Sequence, residues 1–254
     1  MPATVYLDHF AIGTAALADG WELFGGLLGG TWVYGGDARG FWWGQLRFGS
    51  GPKVELLRPA GGPDAAFLER FLASRGAGPH HFNFATSDIR DTLARITAQG
   101  IEPVGVSLDS ETWKEAFLHP KSAHGIVIQI AQSGGNGPAP VPPAELPAPG
   151  PSSTLDLIEH HVTDLPGATR LFRDAFDGQV SSRHDTPAGP AVDLTWPGGK
   201  LIRLVRPAAA DDLPHGGAVH HLRFTRPGGF TAADTARAAR LSARLGLTLQ
   251  LAAS

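Results

Sequence analysis

Four short stretches of alternating apolar character each carry one side chain able to ligate a metal or handle a proton. Residues 4–13 (TVYLDHFAIG) bring His9 and residues 53–59 (KVELLRP) bring Glu55; the stretch GAGPHHFNFATSD brings His81, and FLHPKSAHGIVIQI brings Gln129. Two imidazoles, one carboxylate and one amide oxygen suit a divalent ion such as Zn²⁺, Ni²⁺, Co²⁺, Mn²⁺ or Fe²⁺, and they leave positions open for a chelating substrate. An ion so held acidifies a C–H next to a bound oxygen. Glu55 is then the catalytic candidate for moving the proton. Gln129 is a poorer ligand than a carboxylate, so it either completes the metal set or hydrogen-bonds the reacting group.

Other polar residues in these stretches have plainer readings. His80 points to the opposite strand face from His81 and is expected to pack towards a helix. His119 and His124 flank Pro120 and Lys121 and are expected to shape that turn. In Phe41–Phe48 (FWWGQLRF), Trp43, Gln45 and Arg47 share one strand face. They read as a substrate-binding wall for an aromatic or acidic molecule, joined by Asn83, or as ordinary core with a surface Arg.

The elements that must position these groups repeat. Residues 4–13 read as a strand, 15–28 as a helix stopped by Gly29-Gly30, and Thr31–Tyr34, Phe41–Phe48 and Val54–Leu57 as three further strands. The same β-α-β-β-β order recurs as His80–Thr86, a helix over Ile89–Gln99 with Asp88 as its cap, Ile101–Val106, 115–119 and 125–130. Residues 133–153 are Pro- and Gly-rich and read as a linker. Beyond it the pattern restarts at Leu155–Thr163, followed by a helix near 166–176, a Gly-rich turn, and strands at 191–196 and 200–207. A last start at 218–225 has one helix, 232–245, and one final strand, 247–251. The expectation is an α+β fold with a complete domain over 1–132, a linker over 133–153 and a shortened second domain over 154–254.

Composition narrows the function classes. With 254 residues, 42% apolar and 18% charged, the chain reads as globular, and 33 Gly and 21 Pro imply many turns. A net charge of −3 without a dense Lys/Arg stretch gives no electrostatic footprint for nucleic acid or an anionic membrane. No stretch reaches the roughly 20 apolar residues of a membrane span, so a cytoplasmic protein with a small-molecule partner is expected. The absence of Cys excludes disulfides, thiolate nucleophiles and Cys-based metal sites.

The strings LDHFAIG, VELLRP, GPHHFNFATSDI, RITAQGIEPV and FLHPKSAHGIVIQI, in that order, resemble the vicinal oxygen chelate (glyoxalase/bleomycin resistance/dioxygenase) superfamily, and within it the methylmalonyl-CoA epimerases. The resemblance implies tandem β-α-β-β-β units curving into a sheet that cups a divalent metal held by His9, Glu55, His81 and Gln129. The family epimerases carry Gln at the position of Glu55 and Glu at that of Gln129. The exchange keeps the ligand composition but moves the only carboxylate across the cup. Gln129 cannot accept a proton, and Phe41–Phe48 with the turn before it, where the other family base would stand, offers Asp37 and no Glu, which argues against methylmalonyl-CoA epimerisation itself.

In the second half, His160 and His221 read as the counterparts of His9 and His81, while Arg203 stands in the place of Glu55. A cation there would repel a metal, so that half is expected to be metal-free and to pair with the first half or with a second subunit, as in a homodimer. The functional expectation is a metal-dependent lyase or isomerase of the glyoxalase or epimerase kind. A non-haem iron extradiol-type dioxygenase is the alternative, since two His and one carboxylate also form its triad. A non-catalytic small-molecule binding or resistance protein is the third reading.

Overall fold

The computed structural model describes residues 3–135 and 140–254. The chain opens with β1 (Val5–Gly13) and α1 (Leu17–Gly20), which continues as π-helical turns over Trp21–Leu27, then β2 (Thr31–Ala38), β3 (Phe41–Arg47) and β4 (Lys53–Pro59). Helix α2 (Ala66–Arg75) leads to β5 (Gly78–Thr86), α3 (Ile89–Thr97), β6 (Val104–Ser107), β7 (Trp113–Leu118) and β8 (Val127–Ser133). After these come β9 (Thr154–Val162), α4 (Leu165–Asp174), β10 (Gln179–Thr186), β11 (Gly189–Trp196) and β12 (Lys200–Val205). The chain closes with β13 (Gly217–Arg226), α5 (Ala232–Arg244) and β14 (Leu249–Ala253). The result is an α+β fold with two mixed sheets, of 8 strands in the order β2-β3-β4-β1-β5-β8-β7-β6 and of 6 strands in the order β10-β11-β12-β9-β13-β14. Among the described residues, no helix is long and apolar enough to cross a membrane.

Packing divides the chain into two compact units. One comprises His9–His80, Gly137–Asp156 and His221–Ser254. In this unit β3 carries a tryptophan on each face, Trp42 towards the π-helical turns and Trp43 towards α2. Trp42 meets Trp21 edge-on at 5.3 Å and stacks near Trp32 at 6.3 Å, while Phe48 packs on Phe24 and Phe224 at 6.1 and 5.1 Å. Gly20 lets α1 press onto β4, since a Cβ there would lie 2.6 Å from the Leu56 side chain. On the other face, Leu68 of α2 forms a core with Ala11 and Leu57, flanked by Phe41, Trp43, Phe71 and Leu72. Of the expected 133–153 linker, residues 136–139 lie outside the described residues. The part from 140 onward lies along the π-helical turns: the Trp32 indole donates to the Pro140 carbonyl at 2.9 Å, and the Ser153 hydroxyl donates to the Leu28 carbonyl.

The other unit comprises Met1–Asp8, His81–Asn136 and Leu157–His220. Its centre is aromatic: Phe84 stacks on Phe176 at 4.3 Å and 12°, and Phe172 and Trp196 close around the pair. Each such fully buried ring contributes roughly 1.5–3 kcal/mol relative to exposure. Asp88 caps α3, its carboxylate accepting from the Arg90 and Asp91 amides.

Two elements depart from the sequence reading. Helix α2 was not anticipated, although Leu68, Phe71 and Leu72 stand at the i, i+3, i+4 spacing of a buried helical face. Strand β10 replaces the expected Gly-rich turn. Its sequence QVSSRHDT is polar and partly exposed throughout, because it is an edge strand paired only with β11, and so it carries no alternating apolar signal.

His80 and His160 lie in apolar surroundings. His80 packs edge-on to Phe67 and Phe71 of α2, and His160 lies against Phe82. Burial, reinforced by the Arg75 charge, pushes His80 from 6.5 to about 4. Burial pulls His160 down to about 4 as well, against the opposing hydrogen bond to the His124 carbonyl at 2.7 Å. That carbonyl can only accept, so His160 is the neutral tautomer with its proton on Nε2. Both folded-state pKa values lie below the unfolded value, so the unfolded chain takes up protons first as pH falls. Stability is therefore expected to be full above pH 6.5 and to decline towards pH 4, by on the order of 3 kcal/mol per histidine. Urea unfolding across this range checks it, and His160→Gln, which keeps a donor but does not titrate, should flatten part of the slope.

Candidate metal centre

His9, Glu55 and His81 are brought together. Their ligand atoms all lie within 4.8 Å of one another, and the three residues are only 4%, 6% and 5% exposed. The strand register explains the convergence. β1 and β4 run parallel with Ala11 opposite Glu55, two residues beyond His9. β5 and β8 repeat the arrangement with Asn83 opposite Gln129, two residues beyond His81. Because strand side chains alternate faces, His9 and Ala11 share a face, as do His81 and Asn83. His9 and His81 are thus equivalent places in two copies of one pairing, and so are Glu55 and Gln129.

Gln45 completes the first half. It lies on β3 directly opposite Glu55 and is 6% exposed. Its amide nitrogen donates to Glu55 Oε2 at 2.7 Å and lies 3.3 Å from His9 Nδ1, while His9 Nε2 is 3.6 Å from Glu55 Oε1. One amide thus orients both the carboxylate and the ring. Gln45, expected as a substrate-binding residue, lies against His9 and Glu55.

The second half is organised differently. Asn83 is 1% exposed and donates to the Gln129 carbonyl oxygen at 2.8 Å; the Gln129 amide nitrogen donates to Glu115 Oε2 at 2.8 Å, and the Trp113 indole donates to the same oxygen at 3.0 Å. Glu115 is a carboxylate that sequence reasoning missed. Its signal was present, since Glu115 and Phe117 alternate on β7 and Phe117 pairs with Gln129. The remaining expected residues are separated by this geometry. Trp43 stacks on Tyr34 at 5.7 Å and packs on the Ala11–Leu57–Leu68 core, whereas Arg47 is exposed at the end of β3, as is Asp37 on β2.

In the six-stranded sheet, β9 and β12 pair in parallel with Glu159 opposite Arg203. Arg203 therefore does take the place of Glu55. The counterpart of His9, two residues before Glu159, is Leu157 and not His160, whose ring is on the other face in the core. The Arg203 guanidinium is engaged by both oxygens of Asp193, at 2.8 and 3.0 Å. This neutralises the cation on which the metal-free expectation rested. A second group, Glu159, His220 and His221, also has ligand atoms within 4.8 Å of one another.

Comparison with known proteins follows the same lines. No curated protein matches the sequence. A triple mutant of 4-hydroxymandelate synthase from Streptomyces coelicolor is similar over 95% of this chain and 76% of its own, at 16% identity and a TM-score of 0.64. A xylose isomerase-like TIM barrel/4-hydroxyphenylpyruvate dioxygenase fusion protein is similar over 94% of this chain and 39% of its own, at 15% identity and a TM-score of 0.59. At these identities the likeness is one of fold. Methylmalonyl-CoA epimerase from Mycobacterium tuberculosis covers 50% of this chain and 87% of its own, at 26% identity and a TM-score of 0.44. Residues 8–117, which span His9, Gln45, Glu55, His81 and Glu115, match the Glyoxalase/Bleomycin resistance protein/Dioxygenase superfamily.

Proposed function

We propose that this protein is a metal-dependent lyase or isomerase acting on a small substrate that chelates through carbonyl, carboxylate or thioester oxygens. The observation that carries the proposal is the buried convergence of His9, Glu55 and His81. Their donor set fits a divalent ion of the zinc, nickel, cobalt, manganese or iron kind, with positions left for substrate. When bound, such an ion supplies Lewis acidity that makes a C–H beside a chelated oxygen acidic. The proposal takes the chain as two tandem domains of the superfamily, the second shortened, working in the cytoplasm on a small molecule.

The chain's own residues supply positioning and proton handling. Gln45 holds Glu55 by one carboxylate oxygen and fixes the neighbouring imidazole, which keeps both ligands from swinging apart. Glu55 is the carboxylate beside the two imidazoles and would take the proton of a C–H next to the chelated oxygen. Gln129 is held between Asn83 and Glu115 and would present a fixed amide to a substrate oxygen, while Glu115 offers a second carboxylate. Leu68, Phe71 and Leu72 of α2 pack over Ala11 and Leu57 and keep water from that side of the sheet face.

A non-haem iron oxygenase is the second reading, favoured by the two-His, one-carboxylate composition itself. The fold likeness to a 4-hydroxymandelate synthase is compatible with it. Oxygen uptake with catechols or 2-oxo acids in the presence of Fe²⁺ separates it from the first.

The function is tested by incubating the metal-loaded protein in D₂O with a panel of 2-hydroxy ketones, 2-methyl-branched thioesters and dicarboxylates. Metal-dependent washout of a C–H signal that is lost in Glu55→Ala is expected, whereas oxygen consumption without washout would replace this reading with the second. Gln45→Leu is expected to weaken metal affinity about 10–100-fold with little change in fold, read by competition with a chelating dye. Unchanged affinity would mean that Gln45 does not act on the ligands.

A further inference from the structure

We infer that the six-stranded sheet carries a second divalent transition-metal site, made by Glu159, His220 and His221 and positioned by His161. The ligand atoms of Glu159, His220 and His221 lie within 4.8 Å of one another. Glu159 is on β9 and 7% exposed, while the two histidines are consecutive on β13, His220 exposed and His221 half-buried.

His161 is what makes the group more than a chance gathering. It follows Glu159 by two residues on the same face of β9 and is 8% exposed. Its Nε2 lies 2.9 Å from Glu159 Oε1, and its ring lies flat on His220 at 4.1 Å and 11°. One imidazole therefore fixes the carboxylate by a hydrogen bond and the exposed histidine by stacking. Carboxylates that hold metals are themselves hydrogen-bonded in this way.

The local charge permits a cation. Arg203 stands opposite Glu159 in the β9–β12 register and would oppose an ion if its charge were uncompensated, but Asp193 engages it with both oxygens at 2.8 and 3.0 Å. Two imidazoles and one carboxylate favour Zn²⁺, Co²⁺, Ni²⁺ or Cu²⁺ over Mg²⁺ or Ca²⁺. The exposure of His220 leaves the remaining positions to water or a small anionic ligand. This site is not the first one repeated, because Leu157 and Arg203 occupy the register places of His9 and Glu55. It keeps the place of His81 in His221 and adds Glu159 and His220.

The test uses the full chain, stripped with chelator, reloaded with Zn²⁺, desalted and assayed for bound zinc by mass spectrometry. Two equivalents are expected in the wild type and one in a Glu55→Gln/His81→Ala variant. In that background, His220→Ala is expected to remove the remaining equivalent, and since His220 is exposed the change leaves folding intact. His161→Asn should lower the affinity of this equivalent about 10–100-fold without abolishing it. The inference is overturned if the Glu55→Gln/His81→Ala variant holds no zinc, or if its zinc survives both His220→Ala and Glu159→Gln. A wild type with one equivalent, lost on His220→Ala and retained on Glu55→Gln/His81→Ala, would uphold this site and remove the first.

Discussion

A carboxylate almost out of contact with water is the constraint around which the first half of this protein is built. Glu55 is 6% exposed, and an ionised carboxylate in such a place is costly unless its charge is met. One amide hydrogen bond and an imidazole at 3.6 Å meet part of that demand. A divalent ion between Glu55, His9 and His81 would meet more of it, and the three side chains stand close enough together to hold one.

The backbone produces this arrangement economically. A parallel pair of strands places one residue of each strand at a fixed register, and the β1–β4 and β5–β8 pairs use the same register. Pairing twice in this way is enough to set two histidines and two longer polar side chains at corresponding places. The difference between the halves then comes from side chains. Near β1 and β4, α2 covers the sheet face with Leu68, Phe71 and Leu72. On β7 and β8, Trp113 is exposed and Glu115 and Gln129 are partly so, which leaves that face open to solvent.

Much of this was legible in the sequence. Alternation and helical spacing gave β1, β3–β5, β7–β9 and β11–β14 within a few residues, because each buries at least one apolar face. β10 was invisible because its edge position lets it be polar. α2 was overlooked for another reason: its apolar face is short and sits between Gly- and Pro-rich turns that resemble a plain connection. At the site, the two histidines and Glu55 could be found from repeat symmetry, but Glu115 could not be valued until its hydrogen bond to Gln129 was seen. The assignment of His160 as a counterpart of His9 shows the limit of string matching. In β9 the histidine pair falls at a different register from His9 of β1, so His160 ends on the other face.

The most direct measurement is X-ray absorption at the edge of cobalt bound to the His220→Ala variant, in which the first site alone is filled. The account expects scattering from two imidazoles and oxygen donors at about 2.0–2.2 Å, with the imidazole contribution halved by His81→Ala. A spectrum with oxygen donors only, or one that His9→Ala and His81→Ala leave unchanged, would contradict it.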